Sequence, residues 1–402
     1  MTSSPIAIAP GPAPPGDTAA EVGARDRRRL HAVDAARTLA ILGMFVAHVA
    51  GAASQRWTFL RWVNGYSAGG FVVLAGVSMG LTRRLAVPGW RAWPPQVLRS
   101  VLLFALGVAL ARISFGPVVI LGVYAALFLV ALPFRRLGGP ALVAIGLVLT
   151  VVWPVVSLWL RTRVLDGSTV APGYHVTWTM LTGPRPVATV ARTLLLDGTY
   201  PLPTWLSLAL VGWGAQRCGL LRREALGRLA AASAVMLALG FGGSAVVEAA
   251  TGARAELVDR LAADGTTRSF DDGTGVPVST DAEVLLTAGH HTGTTFELWQ
   301  ILGVTGAALT GFASAERWGS RLLVRVAAMP GRIPLTVYSA HIVVGWPMAK
   351  WDVGFGLSPV PQALVLAAFV AGAFVLGWLF RNRRGPLEWA LHRAALSVTP
   401  PA

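Results

Sequence analysis

The chain has 402 residues, 54% of them apolar and only 13% charged, with a mean hydropathy of +0.59. That balance excludes an ordinary water-soluble globular protein and requires a bilayer to supply part of the solvent. The net charge of +15 comes from arginine, since Lys350 is the sole lysine, and the single cysteine, Cys218, excludes an intrachain disulfide or a cysteine metal cluster.

Residues 1–24 are rich in Pro, Ala, Ser and Gly and lack the continuous apolar core of a signal peptide. With the basic run Arg25 to Arg29 they read as an uncleaved, disordered cytoplasmic tail over 1–30. Beyond it, apolar stretches near the roughly 20 residues needed to cross a bilayer recur at 33–53, 67–82, 97–113, 116–134, 140–160, 204–220, 229–250, 296–315, 333–350 and 360–380. The prediction is an all-α polytopic membrane bundle of about ten transmembrane helices over residues 31–392, followed by a cytoplasmic tail over 393–402. Two long outer loops are expected. One, 161–203, contains the turn-rich Asp197 to Pro201; the other, 251–295, carries seven acids between Glu256 and Glu283. Loops of that length usually cover a site or meet a substrate, a family-specific insertion being the plainer alternative.

With the N-terminus in the cytoplasm, the inner segments hold 22 arginines against 6 acids and the outer segments 11 basic residues against 12 acids. This is the asymmetry of the positive-inside rule, and it puts both termini in the cytoplasm of a cell-membrane protein. The basic charge is therefore an orientation signal with anionic lipid as its counter-charge, and nucleic acid is not expected as a partner.

Candidate chemistry begins on the first span. Asp34, Arg37 and His48 are ionisable groups within an apolar helix, where such groups normally face a bundle interior, a partner or a water-filled cavity. Arg37 and His48 stand eleven residues apart, so on a helix they differ by about 20° in azimuth and about 16 Å in height. They share one face and could line a tunnel that begins in the cytosol. A neutral imidazole can take the proton of an attacking hydroxyl or amine. Arg37, with Arg83, Arg84 and Arg99 on the inner side, could hold phosphates by bidentate contacts.

Plainer readings stand beside these. Asp34 and Arg37, at i and i+3, can simply pair. His48 can be a satisfied packing residue, and Ser78 one of the small residues of a close helix crossing. His290 and His291 are adjacent and lack further ligands at metal spacing, so no metal is expected. His291 and Glu297, and Tyr338 with His341 on span nine, are candidates for contacting an acceptor substrate.

Arg37 followed by ten residues and then His48 on the first membrane helix resembles the motif of acyltransferase family three, membrane enzymes that acylate sugars outside the membrane from a cytosolic donor. Five further phrases resemble the YeiB-like bacterial membrane proteins. They are Asp34-Ala35-Ala36-Arg37, Phe71 to Ser78, His291 to Glu297, Pro334 to Tyr338 and Gly385-Pro386-Leu387-Glu388. The first two also resemble heparan alpha-glucosaminide N-acetyltransferase. The resemblance runs from about residue 30 to 392 and rests on the order of the phrases. It implies transfer of an acetyl or other acyl group from cytosolic acyl-CoA, a cosubstrate and not a tightly bound cofactor, to a hydroxyl or amine of an envelope sugar or lipid outside. The lysosomal enzymes carry their histidine after the first helix in a motif that Gln55-Arg56-Trp57 does not match, so the histidine role transfers to His48 only through its spacing from Arg37. Expected partners are membrane lipids, acyl-CoA and the acceptor, and a homodimer is compatible with the reading. The alternative is a transporter or lipid flippase, although Pro154, Pro334 and Pro347 do not form the matching broken spans of two repeats.

Overall fold

The computed structural model describes residues 19–50, 58–82, 89–114, 116–163, 175–263, 273, 275–277, 279–350 and 359–398. Among these the chain is helical, with no strand. In order come α1 (Ala19–Ala50), α2 (Thr58–Leu81), α3 (Trp93–Arg112), α4 (Leu121–Val130) and α5 (Gly139–Arg163). Next are α6 (Trp178–Thr182), α7 (Pro186–Arg192), α8 (Leu202–Arg217), α9 (Leu226–Leu237), α10 (Ser244–Thr251) and α11 (Ala253–Ala263). The last are α12 (Thr295–Arg317), α13 (Arg321–Ala327), α14 (Pro334–Lys350), α15 (Pro359–Leu379) and α16 (Pro386–Ser397).

Among the described residues six helical stretches are long and apolar enough to cross a membrane: His31–Val49, Trp93–Arg112, Gly139–Arg163, Arg223–Thr251, Thr295–Arg317 and Val360–Leu379. Of the other four expected spans, two fall on the shorter apolar helices Gly65–Leu81 and Leu121–Val130, and two on α8 and α14. The helix expected over 116–134 starts late because Pro117 follows the positive-φ Gly116, and the chain is not helical until Leu121. The expected tails and loops are also partly helical. α1 takes in the basic run at Arg25, α16 continues to Ser397, and α6, α7 and α11 form within the outer segments. On α11 an Arg260–Glu256 ion pair at i, i+4 supports the helix.

The membrane reading has a direct structural correlate on α5. Val148, Val151, Val152, Val155 and Trp159 are all exposed, while Leu142, Gly146, Thr150, Pro154, Ser157 and Leu158 on the opposite side are buried. Bulky apolar groups turned outward over about three turns are what a helix facing hydrocarbon presents.

The centre of the bundle is α8, buried from Leu202 through Gly214 except at Pro203 and Val211. It packs between α2 and α5 by backbone-to-backbone approach. A Cβ at Gly76 would lie 2.0 Å from the Ala209 carbonyl oxygen, and one at Gly212 would lie 2.1 Å from that of Val73. Small residues at a crossing let membrane helices gain dispersion contact where no hydrophobic driving force exists. Between α9 and α10 a π-helical segment, Ala238–Gly243, leaves the Gly240 carbonyl to be taken by Gln300 Nε2 at 3.1 Å. Gln300 Oε1 in turn accepts from the Tyr66 hydroxyl at 2.9 Å.

Candidate functional site

A cavity of about 440 Å³ lies among α1, α2, α3, α4, α14 and α16. Among the described residues four arginines line it, Arg37, Arg99, Arg332 and Arg384, together with Gln96, His392 and one carboxylate, Glu388. Apolar walls come from Phe71, Leu103, Phe128 and Leu391, and Tyr124 and Tyr338 also line it.

Each charged group is held by identifiable local structure. Arg37 donates to Asp34 Oδ1 on its own helix and to Ser78 Oγ on α2, so the i, i+3 pair forms and the serine carries a polar contact as well as a close crossing. Ser78 Oγ donates onward to the Leu74 carbonyl at 2.5 Å. Arg332 reaches the cavity because the turn before it sits hard against α1. Gly331 N donates to Thr38 Oγ1 at 2.9 Å, and a Cβ on Gly331 would lie 1.9 Å from the Asp34 carbonyl oxygen, so no larger residue fits. Arg99 lies over the Phe128 ring at 5.1 Å.

Glu388 is a clamp. Its Oε1 accepts from Leu335 N at 2.8 Å and Thr336 N at 3.0 Å, and its Oε2 accepts from Thr336 Oγ1 at 2.5 Å. These amides belong to the first turn of α14, where they have no partner within their own helix. A carboxylate from α16 therefore caps α14 and complements the positive end of its dipole. Leu387 N returns a bond to Thr336 Oγ1 at 3.3 Å.

Beyond Tyr338 the polar groups continue. The Tyr338 hydroxyl accepts from Ile120 N at 3.2 Å, and its ring meets His341 edge-on at 5.1 Å. His341 is buried among Phe45, Phe369 and Tyr338. Its Nε2 lies 3.0 Å from His48 Nδ1, with the two rings stacked at 5.1 Å and 12°. Arg37 and Met44 line the cavity and His48 continues the same face of α1 one turn further, but neither His48 nor His341 lines it. The expected corridor thus reaches Tyr338 and Met44, and the two histidines form the layer behind.

His291 and Glu297 lie elsewhere, around a void of about 20 Å³ shared with Thr199 and Thr204. Glu297, in the first turn of α12, accepts from Gly293 N at 2.7 Å, from His291 N at 2.5 Å and from Thr292 Oγ1 at 3.3 Å. It holds the 291–293 turn, in which His291 adopts a positive φ of 55°. Burial, with His290 alongside, pushes the His291 imidazole down to about 4. Tyr338 and His341 thus join His48, while His291 and Glu297 make a separate cluster. Arg83 and Arg84 lie outside the described residues.

Reading the sequence missed Arg332, Arg384, Glu388 and Tyr124 as cavity residues. Arg332 and Arg384 counted there only as inner charges, and Glu388 only as part of a phrase. Tyr124 gave no signal, although its buried hydroxyl has no hydrogen-bond partner and it lines the cavity. No protein-family model and no curated protein matches this chain.

Proposed function

We propose that the chain is a cell-membrane acyltransferase with both termini in the cytoplasm, moving an acetyl or other acyl group from cytosolic acyl-CoA to a hydroxyl or amine of an envelope sugar or lipid on the far side. The observation that carries this reading is the cavity of about 440 Å³ with four arginines at its wall and a tyrosine at its end, backed by the His341–His48 pair. Four guanidinium groups, one of them paired with Asp34, beside a Glu388 carboxylate committed to α14, favour a polyanionic guest such as the phosphates of CoA. The pantetheine arm is thin enough to run along the apolar wall toward Tyr338.

In this reading the acceptor oxygen or nitrogen attacks the thioester carbonyl, the tetrahedral intermediate expels the CoA thiolate, and the acceptor's proton passes to an imidazole. His48 and His341 share one hydrogen bond, so either ring can receive a proton while the other orients it. Transport remains the second reading, favoured by a cavity that reaches the bundle interior from one end while the outer voids hold no more than about 20 Å³.

The test uses purified protein in two steps. Acetyl-CoA and CoA are expected to raise Tm in proportion to the logarithm of concentration, and membranes given labelled acetyl-CoA are expected to yield an acylated glycan or lipid that His48→Ala membranes do not. Stabilisation without any acylated product would favour transport, and the absence of both effects would remove the reading.

A further inference from the structure

At the opposite end of the bundle, the last turn of α5 buries a charge with no adequate partner. Arg161 is 1% exposed, and neither its Nε nor its Nη1 has a hydrogen-bond partner. The acid whose charge it feels is Asp197, itself 2% exposed. Asp197 is shared, however: its Oδ2 accepts from Arg192 Nε, and its Oδ1 makes no hydrogen bond. Arg192 keeps its side chain 40% exposed, so the donors left dry are those of Arg161, whose Nε and Nη1 reach no acceptor among the described residues; a buried guanidinium in that state is costly unless an anion or another acceptor meets it.

Beside Arg161 is a void of about 10 Å³ lined by Ser157, Thr204 and Thr292. The void of about 20 Å³ adjoins it, sharing Thr204, Gly275 and Gly293. Thr199, on the wall of the second void, has a buried hydroxyl without a partner. Glu297 also borders that void, but its oxygens are turned onto the 291–293 turn and make no bond to Arg161. Unsatisfied donors of Arg161 and Thr199 thus border two adjoining spaces of about one water-sized volume each.

We infer that the void beside Arg161 is a binding site for a small monatomic anion, with chloride its natural occupant. Guanidinium and hydroxyl groups are the donors such an ion takes. The space is too small for phosphate, sulfate or a substrate carboxylate, and the unmet N–H groups of Arg161 ask for a negatively charged acceptor. The ion ties α5 to the 275–293 turn, closing the outer end of the bundle. The inference does not depend on acyl transfer.

Purified full-length protein is unfolded thermally in sodium chloride, sodium bromide and sodium gluconate at matched ionic strength, and crystals are grown in bromide for anomalous scattering. The expected result is a saturable rise in Tm of about 3 °C in either halide over gluconate, with an anomalous peak beside Arg161 Nε and Nη1. Arg161→Met is expected to abolish the halide shift. Should that variant fail to fold, Ser157→Val, which keeps the guanidinium but fills the void, is expected to abolish it as well. Equal Tm in halide and gluconate for the wild-type protein, or only ordered water in the void, overturns the inference.

Discussion

Arg99 is the cavity arginine whose loss leaves the other three standing, and it is the place to measure what the cavity wants. Its guanidinium lies over the Phe128 face. Charge-assisted hydrogen bonds contribute about 1.5–3 kcal/mol each, so Arg99→Ala is expected to weaken CoA binding about tenfold or more, read as a smaller Tm shift at fixed CoA. An unchanged shift would remove Arg99 from the phosphate contact. A second residue-scale expectation concerns acid. His291 titrates at about 4 when folded and near 6.5 when unfolded, so the folded state binds fewer protons between those values. Its contribution is complete above about pH 6.5 and is lost as pH falls toward 4. His175, also lowered by burial, adds in the same sense, while Asp197, raised by burial, opposes it. Between pH 7 and pH 4 the Tm of the wild-type protein is expected to drop relative to that of His291→Asn, which tolerates the positive φ, as measured by thermal unfolding of the two side by side. What could be read from the sequence at this scale was local. The Asp34–Arg37 pair follows from i, i+3 spacing alone, whereas Arg332 enters the cavity through the contact of Gly331 with Asp34 and Thr38, which no local pattern encodes.

Individual elements show why two of the recognised phrases occur together. Pro334 to Tyr338 opens α14 and Gly385 to Glu388 opens α16, and the glutamate of the second caps the first turn of the first. The two phrases are halves of one clamp, and the clamp sets the height of Tyr338 in the cavity. Glu388→Gln keeps the shape but replaces a charged acceptor of three bonds with a neutral one. It is expected to cost about 1–3 kcal/mol, measured as a Tm loss without ligand. Because α14 moves with its cap, CoA stabilisation should fall too. A variant as stable as wild type would show that the capping is incidental. Glu297 performs the same service for the 291–293 turn, accepting from the backbone amides of His291 and Gly293. The helices inside the outer segments were hidden for a different reason. α11 carries apolar residues at Leu257 and Leu261 and the Glu256–Arg260 pair, a helical signature masked by the acids around it.

For the whole molecule, composition and the arginine asymmetry led to the membrane, and the outward apolar face of α5 agrees with that solvent. The number of crossings was less legible, because apolar length alone does not separate a helix wrapped by lipid from one wrapped by protein. Orientation has a simple assay. Cys218 is the only cysteine and is exposed just past the end of α8. Labelling of sealed spheroplasts with a membrane-impermeant maleimide is expected to fail until the cells are opened, as a cytoplasmic position requires; labelling of intact spheroplasts would invert the topology.

The position of α8 also bears on how the chain is made. At 16 residues, and outside the set apolar and long enough to cross alone, it has little reason to leave the insertion machinery for lipid by itself. α2 and α5 precede it in synthesis and offer the glycine-lined groove it occupies. Its entry into the bilayer is thus a docking event onto helices already there, so a lesion in α5 would strand α8 during biogenesis before any finished protein could be destabilised.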